Sequence, residues 1–199
     1  MSARRQRQMC IRDRYYKNAW LEIYDKPVIY FPRFFHPDPT VKRQSGFLMP
    51  KFESSSSLGD SLSLPYFKVI SDNKDFTFKP KFYNDSEGLF QNEYRQVNKN
   101  SSHISDFGIK KGNSNSKSHF FSNSLANLRL SYFENSQLEV NIETTSNNSY
   151  LKSHKIKSQI TNNNSLLNSF LLLRADKQNL AIETKVESFE DLTNENSSD

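Results

Sequence analysis

The 199-residue sequence lacks most of the signals that mark an enzyme. It has one cysteine, Cys10, so no disulfide framework and no redox compartment can be read from it. Its five glycines form no phosphate-cradling loop. No serine sits in a GxSxG elbow. The four histidines, His36, His103, His119 and His154, have no metal-ligand spacing. No catalytic residue, metal site or cofactor is expected. The longest apolar stretch, LLNSFLLL at 166–173, falls far short of the ~18 residues that span a bilayer as a helix. That excludes a helical span and leaves a membrane β-barrel open, because barrel strands alternate polar and apolar residues.

A lasting excess of charge is also missing. The formal charge is +5. The first 14 residues, MSARRQRQMCIRDR, hold five arginines and one aspartate, a net of +4 that leaves +1 for the other 185. The run RRQRQMCIRDR resembles a sequencing-library adapter translated in one frame, and residues 1–14 are set aside from fold reasoning. Nucleic-acid binding loses its main support with them.

What the sequence does have is period-two alternation. In QLEVNIETT, Leu138, Val140 and Ile142 alternate with Glu139, Asn141 and Glu143. NLAIETKVE opposes Leu180, Ile182 and Val186 to Glu183, Lys185 and Glu187. DFTFKPKFY places Phe76, Phe78 and Phe82 against Thr77, Lys79 and Lys81, and NLRLSY predicts a further strand through Leu128, Leu130 and Tyr132. Turn residues punctuate these runs at 71–74, 84–88, 133–137 and 175–179. Longer polar stretches lie at 110–118 and 158–165. The carboxylates alternating along strands suit a wetted face better than an acid–base pair. A barrel with a polar lumen and a soluble β-sandwich with one solvated face both satisfy this pattern.

Upstream, AWLEIYDKPVIYFPRFF at 19–35 predicts two strands around Asp25-Lys26-Pro27, stopped by Pro32 and the following HPDP. Then comes HPDPTVKRQSGFLMP at 36–50, which concentrates turn chemistry and positive charge at one junction.

These junction residues resemble a family. Pro27 to Pro32 reads PVIYFP and Lys42 to Pro50 reads KRQSGFLMP; SLPYF at 63–67 and EYR at 93–95 follow. Over about residues 18–98 the chain is similar to the LPS-assembly outer-membrane proteins (LptD) of Gram-negative bacteria. SNNSYLKSH at 146–154 weakly resembles a further barrel segment of that family.

The resemblance implies an all-β fragment, a partial antiparallel transmembrane β-barrel of roughly 8–9 strands preceded by the last strands of a β-jelly-roll. Residues 15–41 are then the end of the periplasmic domain and 42–199 the truncated start of a barrel that in the family has about 26 strands. Its edge strands would be unpaired and prone to aggregate. The implied function is insertion of lipopolysaccharide into the outer leaflet, with no enzyme activity. The implied partners are lipopolysaccharide, a plug lipoprotein, a periplasmic LPS bridge protein and outer-membrane lipids, without nucleic acid. The location is the outer membrane, with the N-terminal part in the periplasm. Pro50 and Pro65 match prolines of a lateral gate, because proline removes a ladder donor; strand ends or bulges are the other reading. Pro37, Pro39 and Gly46 form the domain junction. Lys42 and Arg43 meet lipid phosphates or anchor at the membrane interface. A soluble β-sandwich binding module remains the alternative.

Overall fold

The computed structural model describes residues 13–23, 26–37, 43–55, 58–84, 87–112, 116–161 and 163–193. The chain divides into two compact units, Met1–Gln44 and Ser45–Asp199. Cys10, Pro39 and Lys42 lie outside the described residues.

The first unit is an antiparallel hairpin of β1 (Asp13–Ile23) and β2 (Lys26–Pro37). Asp13 and Arg14, set aside on sequence grounds, extend β1 opposite Pro37 and His36. Pro32 does not stop β2, contrary to the sequence expectation. The ladder omits one position, between Lys17↔Arg33 and Ala19↔Phe31, where Pro32 lacks a donor and Asn18 adopts a φ of 55°. Pairing then resumes as far as Pro37.

The second unit is one antiparallel sheet of eleven strand segments among the described residues. These are β3 (Gly46–Phe47), β4 (Lys51–Ser55), β5 (Gly59–Ser63), β6 (Tyr66–Ser71), β7 (Lys74–Tyr83), β8 (Gly88–Val97), β9 (Ser101–Lys111), β10 (Lys117–Asn127), β11 (Asn135–Thr145), β12 (Leu166–Lys177) and β13 (Leu180–Asp191). From β7 to β13 each strand pairs with its sequence neighbour, an up-and-down meander whose longer connections lie on either side of β11. Among the described residues one helix, α1 (Tyr150–Ser153), sits in the long connection between β11 and β12. Among the described residues no helix is long and apolar enough to cross a membrane.

Two pairs of segments are single strands interrupted at prolines. Ser63↔Lys81 and Tyr66↔Phe78 keep one offset on β7, so β5 and β6 are one strand broken at Leu64–Pro65. β3 and β4 likewise face that strand on both sides of the gap at Leu48–Pro50. The gap holds three residues against two on the partner, a β-bulge that leaves Met49 exposed. The two joins reduce eleven segments to nine strands.

NLRLSY is not a strand. β10 ends at Asn127, and Leu128–Phe133 form the connection to β11. Arg129 adopts a φ of 53°, which breaks the extended backbone. The Leu130 N–H turns to the Ser136 hydroxyl at 3.0 Å, and the Phe133 N–H to the Leu130 carbonyl at 3.0 Å. Leu128, Leu130 and Tyr132 are left exposed.

Candidate functional site

The alternation that builds the sheet gives it two unlike faces, and the polar one is covered. Asp75 and Thr77 on β7, Gln91 and Glu93 on β8, Asp106 and Lys110 on β9, and His119 on β10 are all buried. The opposite face carries exposed Phe82, Phe107, Ile109, Phe120, Ile142 and Leu171. On β11 the contrast falls between neighbours: Asn141 is 6% exposed and Ile142 is 42%. A sheet in water would be arranged the other way round.

Burying charge requires partners, and cross-strand register supplies them. Arg95 Nε lies 2.8 Å from Asp75, Lys79 Nζ 2.8 Å from Glu93, and Lys110 Nζ 2.7 Å from Glu87. Asn141 donates to the Asn168 carbonyl at 2.8 Å, and Glu143 accepts the Asn168 N–H at 3.1 Å.

The cover is the connection 146–165. Its Tyr150, Leu151 and Ile156 join Tyr83, Leu89, Phe121, Leu167 and Leu192 in one buried cluster. A polar latch holds it beside that cluster. Tyr83 and His154 Nδ1 are 2.9 Å apart, and Tyr150 and His119 Nδ1 are 3.2 Å apart. Gln91 Nε2 donates to both Asp106 oxygens, at 3.0 and 2.8 Å, and to the Lys157 carbonyl at 3.0 Å. Burial, reinforced by Lys110 and Lys117, holds His154 down to about 4. At neutral pH it is therefore uncharged, and its Nδ1 shares a hydrogen bond with the Tyr83 hydroxyl. Burial pushes the Tyr150 phenol up, so it stays un-ionised beside His119 Nδ1. His119 Nε2 lies 3.4 Å from Asp106 Oδ1. Gly108 makes room for this ring, since a Cβ there would come within 2.5 Å of His119 Cε1.

At the other end of the sheet lies a row of prolines. The Leu48 N–H donates to the Pro65 carbonyl at 2.8 Å, and the Leu64 N–H to the Pro80 carbonyl at 3.2 Å. Neither proline can return the bond. The first strand thus meets the second, and the second meets β7, across positions where one ladder bond is missing.

The structure brings Pro50 and Pro65 together at the interruptions of adjacent strands, with Pro65 buried. Gly46 opens β3 opposite Phe67. Arg43 is exposed shortly before it, and Pro37 is the last residue of β2. Sequence reasoning missed Pro80, although a proline inside an alternating strand was itself a signal. It also missed Asp106, Gly108, His119, Tyr150 and His154 as a cluster. No local motif links residues this far apart. Among the described residues no group of three or more His, Cys, Asp or Glu is placed to hold a metal ion.

These features define an all-β protein built on one long antiparallel sheet with its polar face covered and its apolar face open. No protein-family model matches the chain. About two fifths of it matches curated relatives called LPS-assembly protein LptD, in line with the resemblance at the junction. The relative from Idiomarina loihiensis is 35% identical over 80 residues, 40% of this chain and 10% of the relative. That from Pseudomonas aeruginosa is 36% identical over 87 residues, 44% and 9%. That from Shewanella sp. MR-4 is 42% identical over 81 residues, 40% and 10%. The matched part of the chain spans about a tenth of the length of these relatives.

Proposed function

We propose that the chain is part of an outer-membrane component that delivers lipopolysaccharide to the outer leaflet, a transport role and not an enzymatic one. The nine strands of residues 46–191 are the first strands of a transmembrane barrel. Residues 15–41 end a periplasmic β-jelly-roll, 42–199 begin the barrel, and residues 1–14 are foreign to both. The observation that carries the reading is the inverted sheet, whose apolar side chains lie exposed on strand after strand. Lipid accepts that face and water does not.

The lipid leaves through a lateral gate between the first and last barrel strands. Pro50 and Pro65 weaken its edge by withholding ladder donors. Pro37, Pro39 and Gly46 turn the chain from one domain to the next. Lys42 and Arg43 stand at the periplasmic rim, where a guanidinium fork suits a phosphate. The partners are lipopolysaccharide, the plug lipoprotein, the periplasmic bridge protein and the surrounding outer-membrane lipids.

The soluble β-sandwich is less well supported. It needs a second sheet over the apolar face, and the described strands of this unit form one sheet. The test is a disulfide joining the first barrel strand to the last in the full-length protein. Lipopolysaccharide export should stop when it forms and resume on reduction. Export unimpaired by the closed disulfide would sink the gate assignment.

A further inference from the structure

We propose that Pro80 is a positioning residue of the same edge, and that the element it frees is the tip of the first hairpin, strand segments β4 and β5. The proposal rests on the gate reading of Pro50 and Pro65 and adds a moving part to it. The argument is one of parity. In an antiparallel ladder the N–H and C=O of one residue point to the same neighbouring strand. The Pro80 carbonyl accepts from Leu64, so its missing N–H also faces Leu64. β8 loses nothing, since Lys79↔Gln91, Pro80↔Phe90 and Lys81↔Leu89 run in unbroken register. The Pro65 carbonyl accepts from Leu48, so its missing N–H faces the first strand. Leu64 and Pro65 are consecutive. The second strand therefore lacks one bond on each side at a single level, and Pro50 lies in the bulge opposite.

This level divides the hairpin across its strands. On one side, β6 is tied to β7 from Tyr66↔Phe78 to Val69↔Asp75, and the Val69 N–H donates to the Ser45 hydroxyl at 2.8 Å. On the other side, the tip meets β7 at Ser61↔Tyr83, Leu62↔Phe82 and Ser63↔Lys81. The Lys81–Glu53 ion pair at 2.5 Å and the Asn84 N–H bond to Asp60 add to this hold. The tip pivots on the proline row away from β7 while the base of the hairpin stays paired. Opening then widens at two seams, first strand from second and second strand from β7.

Hydrogen exchange on the full-length protein in outer-membrane vesicles tests the pivot without reference to transport. Pro80→Ala returns a donor to Leu64. Exchange at the Leu62 and Leu64 amides should slow about fivefold, the net worth of one ladder bond, with β8 and β9 amides unchanged. Pro80→Val, which favours extended backbone, should do the same. Unchanged exchange at Leu62 and Leu64 in both variants overturns the proposal, as does equal slowing across β8 and β9. A disulfide from Ser63→Cys with Lys81→Cys then separates the pivot from the gate. If it stops lipopolysaccharide delivery, the pivot stands. If delivery continues while the first-to-last strand lock blocks it, the gate survives and the pivot fails. If neither lock blocks delivery, both fail.

Discussion

The first hairpin and the sheet from β7 to β12 use the same alternating pattern to opposite effect. From β7 onward the strands run ten to twelve residues without a break. Their polar face is tied by Arg95–Asp75, Lys79–Glu93 and Lys110–Glu87 and sealed by the connection 146–165. The hairpin 46–71 has two strands of similar reach, each interrupted at a proline. Among the described residues its tip has one ion pair to β7, and the Glu53 partner is exposed. Stability in this sheet is therefore graded along the strand order. Prolines set the weak end, and satisfied buried polar groups set the strong one.

The comparison can be broken most severely at the strong end. Asp106→Leu removes the acceptor of both Gln91 and His119 and should cost about 1–3 kcal/mol for each donor left unpaired. Urea unfolding in bilayers should register this loss, while exchange in the hairpin stays as it was. Next comes the apolar face. Val140→Arg, in the middle of β11, should cost about 2–4 kcal/mol in lipid, whereas Gln in place of Glu139 next to it should change little. The same titration decides this one, since equal costs would place both side chains in the same medium.

Acid should loosen the cover without touching the proline row. The unpacked 146–165 segment takes up a proton on His154 near its ordinary 6.5, and the packed one only near 4. Packing is therefore strongest above pH 6.5 and weakens as the pH falls to 4, by up to roughly 3 kcal/mol. Around His154 the Lys110, Lys117 and Lys81 charges oppose protonation and Glu87 favours it. Amide exchange at Tyr150 and Ile156 should follow this window, and His154→Phe should flatten it. The smallest effect belongs to the weak end. Pro65→Ala restores one donor toward Leu48 and should add about 1 kcal/mol to the pairing of the first two strands, read as slower exchange at Leu48.

Much of this architecture was legible. Alternation located β7, β11 and β13, and Asp, Asn and Ser clusters marked the turns between them. It misled at Leu128–Tyr132, where the same period continues past the end of β10. An arginine is a poor advertisement for a left-handed φ, so nothing local warned of the turn at Arg129. The proline row was half legible. Pro50 and Pro65 stood out beside the junction, but which neighbour each proline deprives depends on register, which only pairing fixes. The covered face was the least legible part. Glu143 and Asn141 read as wetted, yet the connection 146–165 folds back over the face they share. That return depends on Tyr150 meeting His119 and on His154 meeting Tyr83, residues 31 and 71 positions apart. Gly108 is the mark it leaves in the sequence, and it acquires meaning only once His119 lies over it.

The orientation of the faces can be measured directly. Single cysteines placed from Leu138 to Glu143 on a Cys10→Ser background would carry spin labels in reconstituted bilayers. Positions 138, 140 and 142 should be accessible to oxygen dissolved in lipid, and positions 139, 141 and 143 should be shielded from it. The opposite phase, or no period of two, would contradict an inverted sheet standing in a membrane.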